Sequence, residues 1–313
     1  MIRTRLFRIG LSLLIFVVCS ISVPAVEPPI VALAFAPDGS VLVVGSQAGV
    51  SVHDWPSLER RSEIKSRVLN VHDLAFSPSG ETLAVAGGTP SEQGVVDLLV
   101  WPTGKRVELM NRHDDTTTRV AWLDDKHYAA ASLDHEISLV AIGSEKPPAV
   151  LRGHSKGVTS LCLVGTTLVS GGWDQNLRVW DSGELRLIRS LNNHTKPIHD
   201  IRVQPEVEGP STRRLLASAS ADRTVRFWQP TIGRMVRFVR LDHLPMAISW
   251  AMDGKRVFAA CDDGRVRVID PGLATVVQEL DGVDGWAHSI ATHPTDGSVV
   301  VGGSAGQLRR IAN

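Results

Sequence analysis

From residue 29 onward, the chain consists of short runs of β-branched and aliphatic residues separated by Gly, Asp, Ser and Pro. Runs of this length between turn-forming residues predict β-strands. An amphipathic helix would place apolar residues at a period of 3.6, and the sequence has no such stretch of useful length. The pattern predicts a fold that is almost entirely β.

One alternating strand recurs along the chain and ends near a turn. Each copy is followed by a second strand rich in Ala, Val, Gly and Ser, then by a tight polar turn and a third strand. Because the unit recurs, we interpret the chain as a repeat protein. The seven copies of the first strand lie at 30–39, 68–80, 116–125, 156–165, 196–205, 245–254 and 285–297.

The period follows from residues that keep their mutual distance. His113, His154 and His194 are 41 and 40 residues apart. Four aspartates are spaced by 40, 48 and 41 residues, with an insertion at 206–212 in the longest interval: Asp134, Asp174, Asp222 and Asp263. The agreement indicates a unit of roughly 40 residues.

The best-preserved copy is 152–181, which has Gly-His near its start and ends in GGWDQNLRVWD. In these motifs and in its period, the chain resembles the WD40-repeat family over about residues 29–313. The resemblance implies a seven-bladed β-propeller, placed at 28–313, with four-stranded blades around a central channel. The approximate blades are 29–60, 61–110, 111–151, 152–191, 192–241, 242–280 and 281–313.

The seventh repeat reaches Asn313 directly after its third strand. In the family, the N-terminal segment usually supplies the missing outer strand of the last blade. We expect a three-stranded last blade; the alternative is that residues 20–27 pair there. An open outer edge would also accept a partner's strand.

The resemblance also implies a buried hydrogen-bond chain of His, Ser, Asp and Trp in two blades. A buried carboxylate needs donors, and an indole adds apolar bulk with one N–H group. A Ser-His-Asp set is compatible with a hydrolase too, but two copies at equivalent positions and no Gly-x-Ser-x-Gly motif disfavour it. The two chains are His154–Ser170–Asp174–Trp180 and His194–Ser218–Asp222–Trp228.

Other blades depart from this pattern. Blade three keeps His113 and Asp134 but has Ala130 and Val140 at the Ser and Trp positions, and blade six keeps Asp263 beside Ala259 and Ile269. We expect these blades to depend on apolar packing alone, and blades four and five to be the most rigid.

A partner-binding surface is expected where loops present variable residues. In the family, one face at the channel mouth most often binds peptides. The second position of the first strand would line that mouth in every blade: Val31, His72, Thr118, Thr159, His199, Met246 and His288. Trp173, in an exposed turn, joins the predicted partner-binding residues. A metal site at the three histidines is less expected than a polar, pH-sensitive rim, so neither a metal nor a cofactor is predicted.

The first 25 residues have a different composition. Arg3, Arg5 and Arg8 precede an apolar run at 9–18, and small residues precede Ala25. This arrangement predicts a secretory signal peptide at 1–25, cleaved after Ala25. An uncleaved anchor is the main alternative, and a lipid-modified Cys19 is a weaker one. We expect an exported protein, periplasmic or secreted, that touches a membrane only through such an anchor.

Composition and charge narrow the function. Apolar residues make up 43% of the chain and charged residues 21%, and Lys+Arg and Asp+Glu balance at 33 each. The absence of a positive excess argues against a nucleic-acid partner. Cys162 and Cys261 lie in apolar strands almost a hundred residues apart, so we expect two buried free thiols.

The sequence therefore predicts a non-catalytic scaffold that binds a protein or peptide. The alternatives are a propeller enzyme of the lactonase or dehydrogenase kind and a structural subunit of an envelope assembly. Such an enzyme needs carboxylates or metal ligands at the channel, and the predicted ring contains no carboxylate. Fold alone does not decide between these functions.

Overall fold

A computed structural model of the chain describes residues 27–206 and 214–311. The predicted signal peptide at 1–25 lies outside these residues, as do most of the predicted insertion and the last two positions. Within the described ranges, the strands form seven antiparallel sheets, each ordered as in the sequence. The chain is an all-β, seven-bladed propeller, as the sequence predicts.

The strands of the first four blades follow the repeat closely. Blade one contains β1 (Ile30–Phe35), β2 (Val41–Ser46), β3 (Gly49–Asp54) and β4 (Arg60–Ile64), and blade two contains β5 (Val71–Phe76), β6 (Thr82–Thr89), β7 (Gln93–Val100) and β8 (Lys105–His113). Blade three contains β9 (Thr117–Trp122), β10 (His127–Ser132), β11 (Glu136–Ala141) and β12 (Ala149–Arg152), and blade four contains β13 (Val158–Val164), β14 (Thr167–Gly172), β15 (Leu177–Asp181) and β16 (Arg186–Leu191).

The last three blades complete the ring. Blade five contains β17 (Ile198–Val203), β18 (Leu216–Ser220), β19 (Thr224–Gln229) and β20 (Arg234–Arg240), and blade six contains β21 (Pro245–Trp250), β22 (Val257–Cys261), β23 (Val266–Asp270) and β24 (Thr275–Leu280). Blade seven contains β25 (Ala287–Thr292), β26 (Val299–Gly303) and β27 (Leu308–Ile311), with a 3₁₀ turn at Ser304–Gly306. The outer strand of blade one extends four residues past the expected boundary at 60.

The position of each strand in its blade follows from its composition. The first strands of successive blades contact one another around the channel, and β25 contacts β1 to close the ring. Second strands such as β18 and β22 are buried throughout, because both faces are covered by neighbouring blades. Fourth strands such as β4 are mostly exposed.

The hydrophobic core lies between the blades. Trp180 of blade four belongs to the same cluster of buried side chains as Ala129 and Ala131 of blade three, and Trp228 of blade five to the same cluster as Val169 of blade four. Each indole is nearly inaccessible to solvent. Each tryptophan therefore fills space between its own blade and the preceding one.

Blade seven has three strands among the described residues, in agreement with our first expectation. Its junction with blade one is held by side chains. Ser289 Oγ donates a hydrogen bond to the carbonyl oxygen of Ile30 at 2.8 Å. The imidazole of His293 stacks on the indole of Trp55, with ring centroids 4.7 Å apart. Ring closure in this part of the molecule thus depends on side-chain contacts.

Two further expectations concern the thiols and the membrane. Cys162 and Cys261 are both free; Cys261 is buried and Cys162 is partly buried. Burial raises the pKa of both thiols to about 12. Among the residues that the structure describes, no helix has the length and apolar character needed to cross a membrane.

Candidate interaction face

The predicted ring at the channel mouth has one structural cause. In every blade, the pairing between the first and second strands skips one residue of the first strand, which forms a β-bulge. A bulge residue has no partner opposite it and its side chain is redirected. The seven bulge residues are Val31, His72, Thr118, Thr159, His199, Met246 and His288.

These seven residues line one cavity of about 240 Å³ together with Trp173. The structure thus brings together all the residues predicted for partner binding. We define the channel-mouth face as the end of the propeller that carries this cavity, the loops into the first strands and the turns between second and third strands. Whether a partner binds there remains a prediction.

Three of the ring side chains also connect neighbouring blades. Thr118 Oγ1 donates to the carbonyl oxygen of Val158 at 2.7 Å, and Thr159 Oγ1 donates to that of Ile198 at 2.6 Å. His199 Nδ1 donates to the carbonyl oxygen of Pro245 at 3.0 Å. Each acceptor begins the first strand of the next blade. These polar groups therefore link blades three to six.

The other two histidines differ in their contacts. His288 is hydrogen-bonded through Nε2 to Ser304 Oγ at 3.2 Å, whereas no described residue forms a hydrogen bond with His72. Burial lowers the pKa of both imidazoles, and for His72 the positive charge of Arg119 lowers it further against the opposing charge of Asp73. Both rings are therefore neutral at neutral pH.

A network of charged side chains forms the floor of the cavity. Arg119 donates to Asp73 Oδ1 at 3.0 Å and to Asp200 Oδ1 at 2.9 Å, although the two aspartates belong to blades two and five. Arg202 lies 3.1 Å from Asp200. Burial disfavours the charge on Arg119, but the two carboxylates outweigh it and raise its pKa. Arg119 and Arg202 also border a second cavity of about 400 Å³ below, so they separate the two ends of the channel.

The sequence analysis did not identify this charged network. Asp73, Arg119 and Asp200 each follow a ring residue by one position, so reading the third position of the first strands would have found them. The carboxylates of the two aspartates also accept hydrogen bonds from backbone N–H groups, Asp73 from Val120 at 2.8 Å and Asp200 from Ile248 at 3.1 Å. All the charges are compensated within the protein.

Exposed apolar side chains lie on the channel-mouth face. Trp173 lies in the turn between β14 and β15 and is 44% exposed, and Trp286 precedes β25 and is 50% exposed. The indole of Trp286 lies 5.9 Å from the ring of His288. Leu69, before β5, is also exposed. Sequence reasoning missed Trp286 and Leu69, which lie in the loops that lead into first strands.

The two hydrogen-bond chains implied by the family form as expected in blades four and five. In blade four, His154 Nδ1 donates to Asp174 at 3.0 Å, Ser170 Oγ donates to His154 Nε2 at 2.7 Å, and Trp180 Nε1 donates to Ser170 Oγ at 2.8 Å. In blade five, the corresponding distances are 2.8, 2.7 and 2.8 Å for His194–Asp222, Ser218–His194 and Trp228–Ser218.

The electrostatics of these chains fit a structural role. Burial lowers the pKa of His154 and His194 despite the attraction of their aspartates. Burial also opposes the charge on Asp174 and Asp222, but hydrogen bonds from the histidines hold the pKa of each carboxyl well below its usual value. Ser170 and Ser218 are inaccessible to solvent. A substrate could not reach these hydroxyls, although a Ser-His-Asp set is present.

Our expectation that blades three and six depend on apolar packing alone is wrong. In blade three, His113 bonds to Asp134 at 2.8 Å and to Ser138 Oγ at 2.9 Å, so a serine on β11 replaces the one missing at Ala130. In blade six, Asp263 Oδ2 accepts from Arg267 at 2.7 Å. Each of these partly buried carboxylates therefore still has a donor, as its partial desolvation requires.

Blade six also contains a histidine that the sequence analysis missed. His243 Nδ1 lies 3.1 Å from Asp262 and Nε2 lies 3.5 Å from Asp263. The three side chains are close enough to one another to hold a metal ion, and they are the one such group among the described residues. Their mutual pairing and the bond from Arg267 to Asp263 account for the contacts without an ion.

Comparison with known proteins supports the same family. The family model described as "WD domain, G-beta repeat" matches residues 145–181, 185–229 and 241–270, which run from the outer strand of blade three to the third strand of blade six. The WD repeat-containing protein WDS homolog of Arabidopsis thaliana is 27% identical over 207 residues, covering 63% of this chain and 38% of that protein.

Two further relatives are similar over comparable lengths. The ribosome biogenesis protein WDR12 homolog of Drosophila erecta is 28% identical over 211 residues, 64% of this chain and 47% of that protein. Telomerase protein component 1 of Mus musculus is 26% identical over 248 residues, 75% of this chain and 9% of that protein. This chain spans less than half the length of each. The chain therefore contains repeats that match the WD40 family model, and it forms a seven-bladed propeller.

Proposed function

We propose that this protein is a non-catalytic scaffold that binds a protein or peptide at the channel-mouth face, and that it does so after export. The observation that carries the proposal is the shape of that face. The face has a shallow cavity with a closed, charge-compensated floor that Trp173 helps to line, and it also carries the exposed side chains of Trp286 and Leu69. Exposed aromatic anchors around a polar depression are typical of protein interaction sites.

The cavity favours a protein partner over a small substrate. Its volume of about 240 Å³ is below the 300–1,000 Å³ that is typical of sites enclosing a small molecule. The carboxylates near it, Asp73 and Asp200, are already bonded to Arg119 and to backbone N–H groups. The relatives carry the names of a WD repeat-containing protein and of a ribosome biogenesis protein, which agrees with an interaction role.

Export is supported by the basic and apolar pattern of residues 1–25. N-terminal sequencing of the protein recovered from cells tests this part. A start at or near Val26 is the expected result, and a start before Ser20 would contradict cleavage.

Substitution on the channel-mouth face tests the binding site. The tagged, full-length protein is used to recover partners, and each recovered partner is then titrated against purified variants. Trp173→Ala and Trp286→Ala should each weaken binding at least tenfold, because truncated aromatic anchors commonly cost more than about 1.4 kcal/mol. The matched control is Ile232→Ala, which removes an exposed apolar side chain from a turn at the opposite end. Equal binding by all three variants would exclude this face.

A further inference from the structure

The junctions on either side of blade one contain the same aromatic pair. Trp55 follows β3 and Trp101 follows β7, and each is followed by proline. Phe35, the last residue of β1, meets Trp55 edge to face at 5.0 Å, and Phe76, the last residue of β5, meets Trp101 in the same way at 5.1 Å. The two indoles therefore occupy equivalent places, Trp55 facing blade seven and Trp101 facing blade one.

Blade seven covers Trp55 with three polar side chains. The imidazole of His293 stacks on the indole within 14° of parallel, and the guanidinium carbon of Arg310 lies 4.9 Å from the indole centroid. Trp55 Nε1 donates to Asp296 Oδ2 at 3.0 Å, and Arg310 lies 4.0 Å from the same carboxylate. A planar cation, an indole and a carboxylate are thus combined within the protein.

Blade one presents smaller side chains to Trp101. Ala36 follows β1 as His293 follows β25, and Val52 pairs with Val43 as Arg310 pairs with Val300. Ala36 and Val52 therefore take the places of the imidazole and the guanidinium. A cavity of about 600 Å³ lies beside Trp101. Within the described ranges, Trp55 Nε1 has a hydrogen-bond acceptor and Trp101 Nε1 has none.

The rim of this cavity carries both charges. The carboxylate of Asp38 lies in the turn that corresponds to that of Asp296, and among the described residues it accepts hydrogen bonds only from Ser40. The hydrogen bonds from Ser40 lower the pKa of Asp38, so it is ionised at neutral pH. Glu63 is paired with Arg60 at 2.6 Å and Arg61 with Asp54 at 3.5 Å. Lys65 also lines this cavity and has no ion pair with a described residue.

We propose that the cleft between blades one and two binds an arginine side chain of a protein partner. Its guanidinium lies against the indole of Trp101 and beside Asp38, and its aliphatic stem packs on Val41 and Val52. The cleft keeps the indole and a carboxylate found at the neighbouring junction and lacks the imidazole and the cation that cover the indole there. It is a second site, at the end opposite the channel-mouth face.

Titration of the full-length protein with a blocked peptide, acetyl-Gly-Arg-Gly-amide, tests this proposal. The readout is the indole N–H resonance of Trp101 in nitrogen-15 spectra, identified by its loss in Trp101→Phe. The expected result is a saturable shift of that resonance, with the citrulline peptide binding at least about threefold more weakly because it has the same shape without the charge. A missing shift, or equal binding of citrulline, would overturn the proposal, and stronger binding of a phenylalanine peptide would assign the cleft to an aromatic side chain instead.

Two exposed charges give matched variants that leave the fold intact. Asp38→Asn should weaken binding of the arginine peptide about threefold, and Lys65→Glu should strengthen it by a similar factor. Val52→Arg should fill the cleft and abolish the shift, and a thermal unfolding curve shows whether that variant is folded. Unchanged affinity in both charge variants would contradict the proposed position of the guanidinium. Trp173→Ala should leave the titration unchanged, so failure at the channel mouth is distinguishable from failure here.

Discussion

Blades four and three solve the same problem with different residues. In blade four, Ser170 on the second strand and Arg178 on the third strand lie directly opposite each other. In blade three, the corresponding pair is Ala130 and Ser138, so the hydroxyl has moved to the opposite strand. It still reaches the histidine, at 2.9 Å from His113 Nε2. The serine of a cross-strand pair can therefore lie on either strand, and its hydrogen bond to the histidine is preserved.

The exchange changes what else is bonded and packed. Arg178 and Trp180, which contact Asp174 and Ser170 in blade four, have no counterparts in blade three. The apolar volume has also moved across the strands, because Tyr128 opposes Val140 where Leu168 opposes Trp180. The hydrogen-bond chain of blade three is therefore shorter than that of blade four and includes fewer charged side chains. The difference should be visible in stability.

The largest effect should come from removing the aspartates. Asp174→Ala leaves His154 and the largely buried guanidinium of Arg178 without their carboxylate, so it should cost about 3–5 kcal/mol. Asp134→Ala removes a partner of His113 and of two backbone N–H groups but strands no arginine, so it should cost about 1–3 kcal/mol.

The measurement is urea unfolding at neutral pH. Asp114→Ala is the control, because this exposed neighbour of His113 should change stability by less than about 0.5 kcal/mol. Equal losses at Asp174 and Asp134 would show that the arginine adds nothing to the difference between the blades.

The serines should show a smaller difference in the same direction. Ser170→Ala removes the partner of both His154 Nε2 and Trp180 Nε1, so it should cost about 2–3 kcal/mol. Ser138→Ala removes one strong partner, that of His113, and should cost about 1 kcal/mol. Adding Ala130→Ser to Ser138→Ala should restore part of the loss. If it does not, the two cross-strand positions are not interchangeable.

The repeat made most of the fold predictable. Copies of one strand unit give the number of blades, and the same register gives the seven ring positions, since each copy places its bulge at the same residue. The His–Ser–Asp–Trp chains of blades four and five follow from residues that keep their spacing. Periodic features are therefore the ones that sequence reasoning finds.

Contacts between non-equivalent positions were not predictable in this way. Arg119 meets Asp200 across the channel, 81 residues away, and no spacing rule connects them. Ser138 was overlooked because the expected hydroxyl was sought only at Ala130. The stack of Trp55 and His293 joins the two ends of the propeller and occurs at one junction, so it leaves no periodic signal. These features depend on which blades the closed ring brings together.

Acid should destabilise blades four and five, which contain the complete His–Ser–Asp–Trp hydrogen-bond chain. The pKa of His154 and of His194 is below the usual 6.5 in the folded protein, so the unfolded chain takes up protons first as the pH falls. Stability should therefore decrease from about pH 6.5 downward, and decrease again below about pH 3.8, where protonation removes the contribution of Asp174 and Asp222.

Unfolding free energies measured from pH 7 to 5 test this. A variant with both His154→Asn and His194→Asn should be less stable at pH 7 but should have a shallower slope, because it lacks two groups that protonate on unfolding. A slope identical to that of the parent would show that these two histidines do not cause the acid sensitivity.

The smallest effect on stability is expected at Tyr128 in blade three. Tyr128 is fully buried, and its hydroxyl has no hydrogen-bond partner among the described residues. Burial raises the pKa of this phenol, so it stays neutral and its oxygen remains an unsatisfied polar atom. Tyr128→Phe keeps the ring against Trp122 at 5.7 Å and removes only that oxygen. It should raise the unfolding free energy by about 1 kcal/mol in urea titrations, whereas Trp180→Phe in blade four should lower it by removing a bonded N–H group and apolar volume. If Tyr128→Phe instead lowers the unfolding free energy, the hydroxyl of Tyr128 contributes to the stability of blade three.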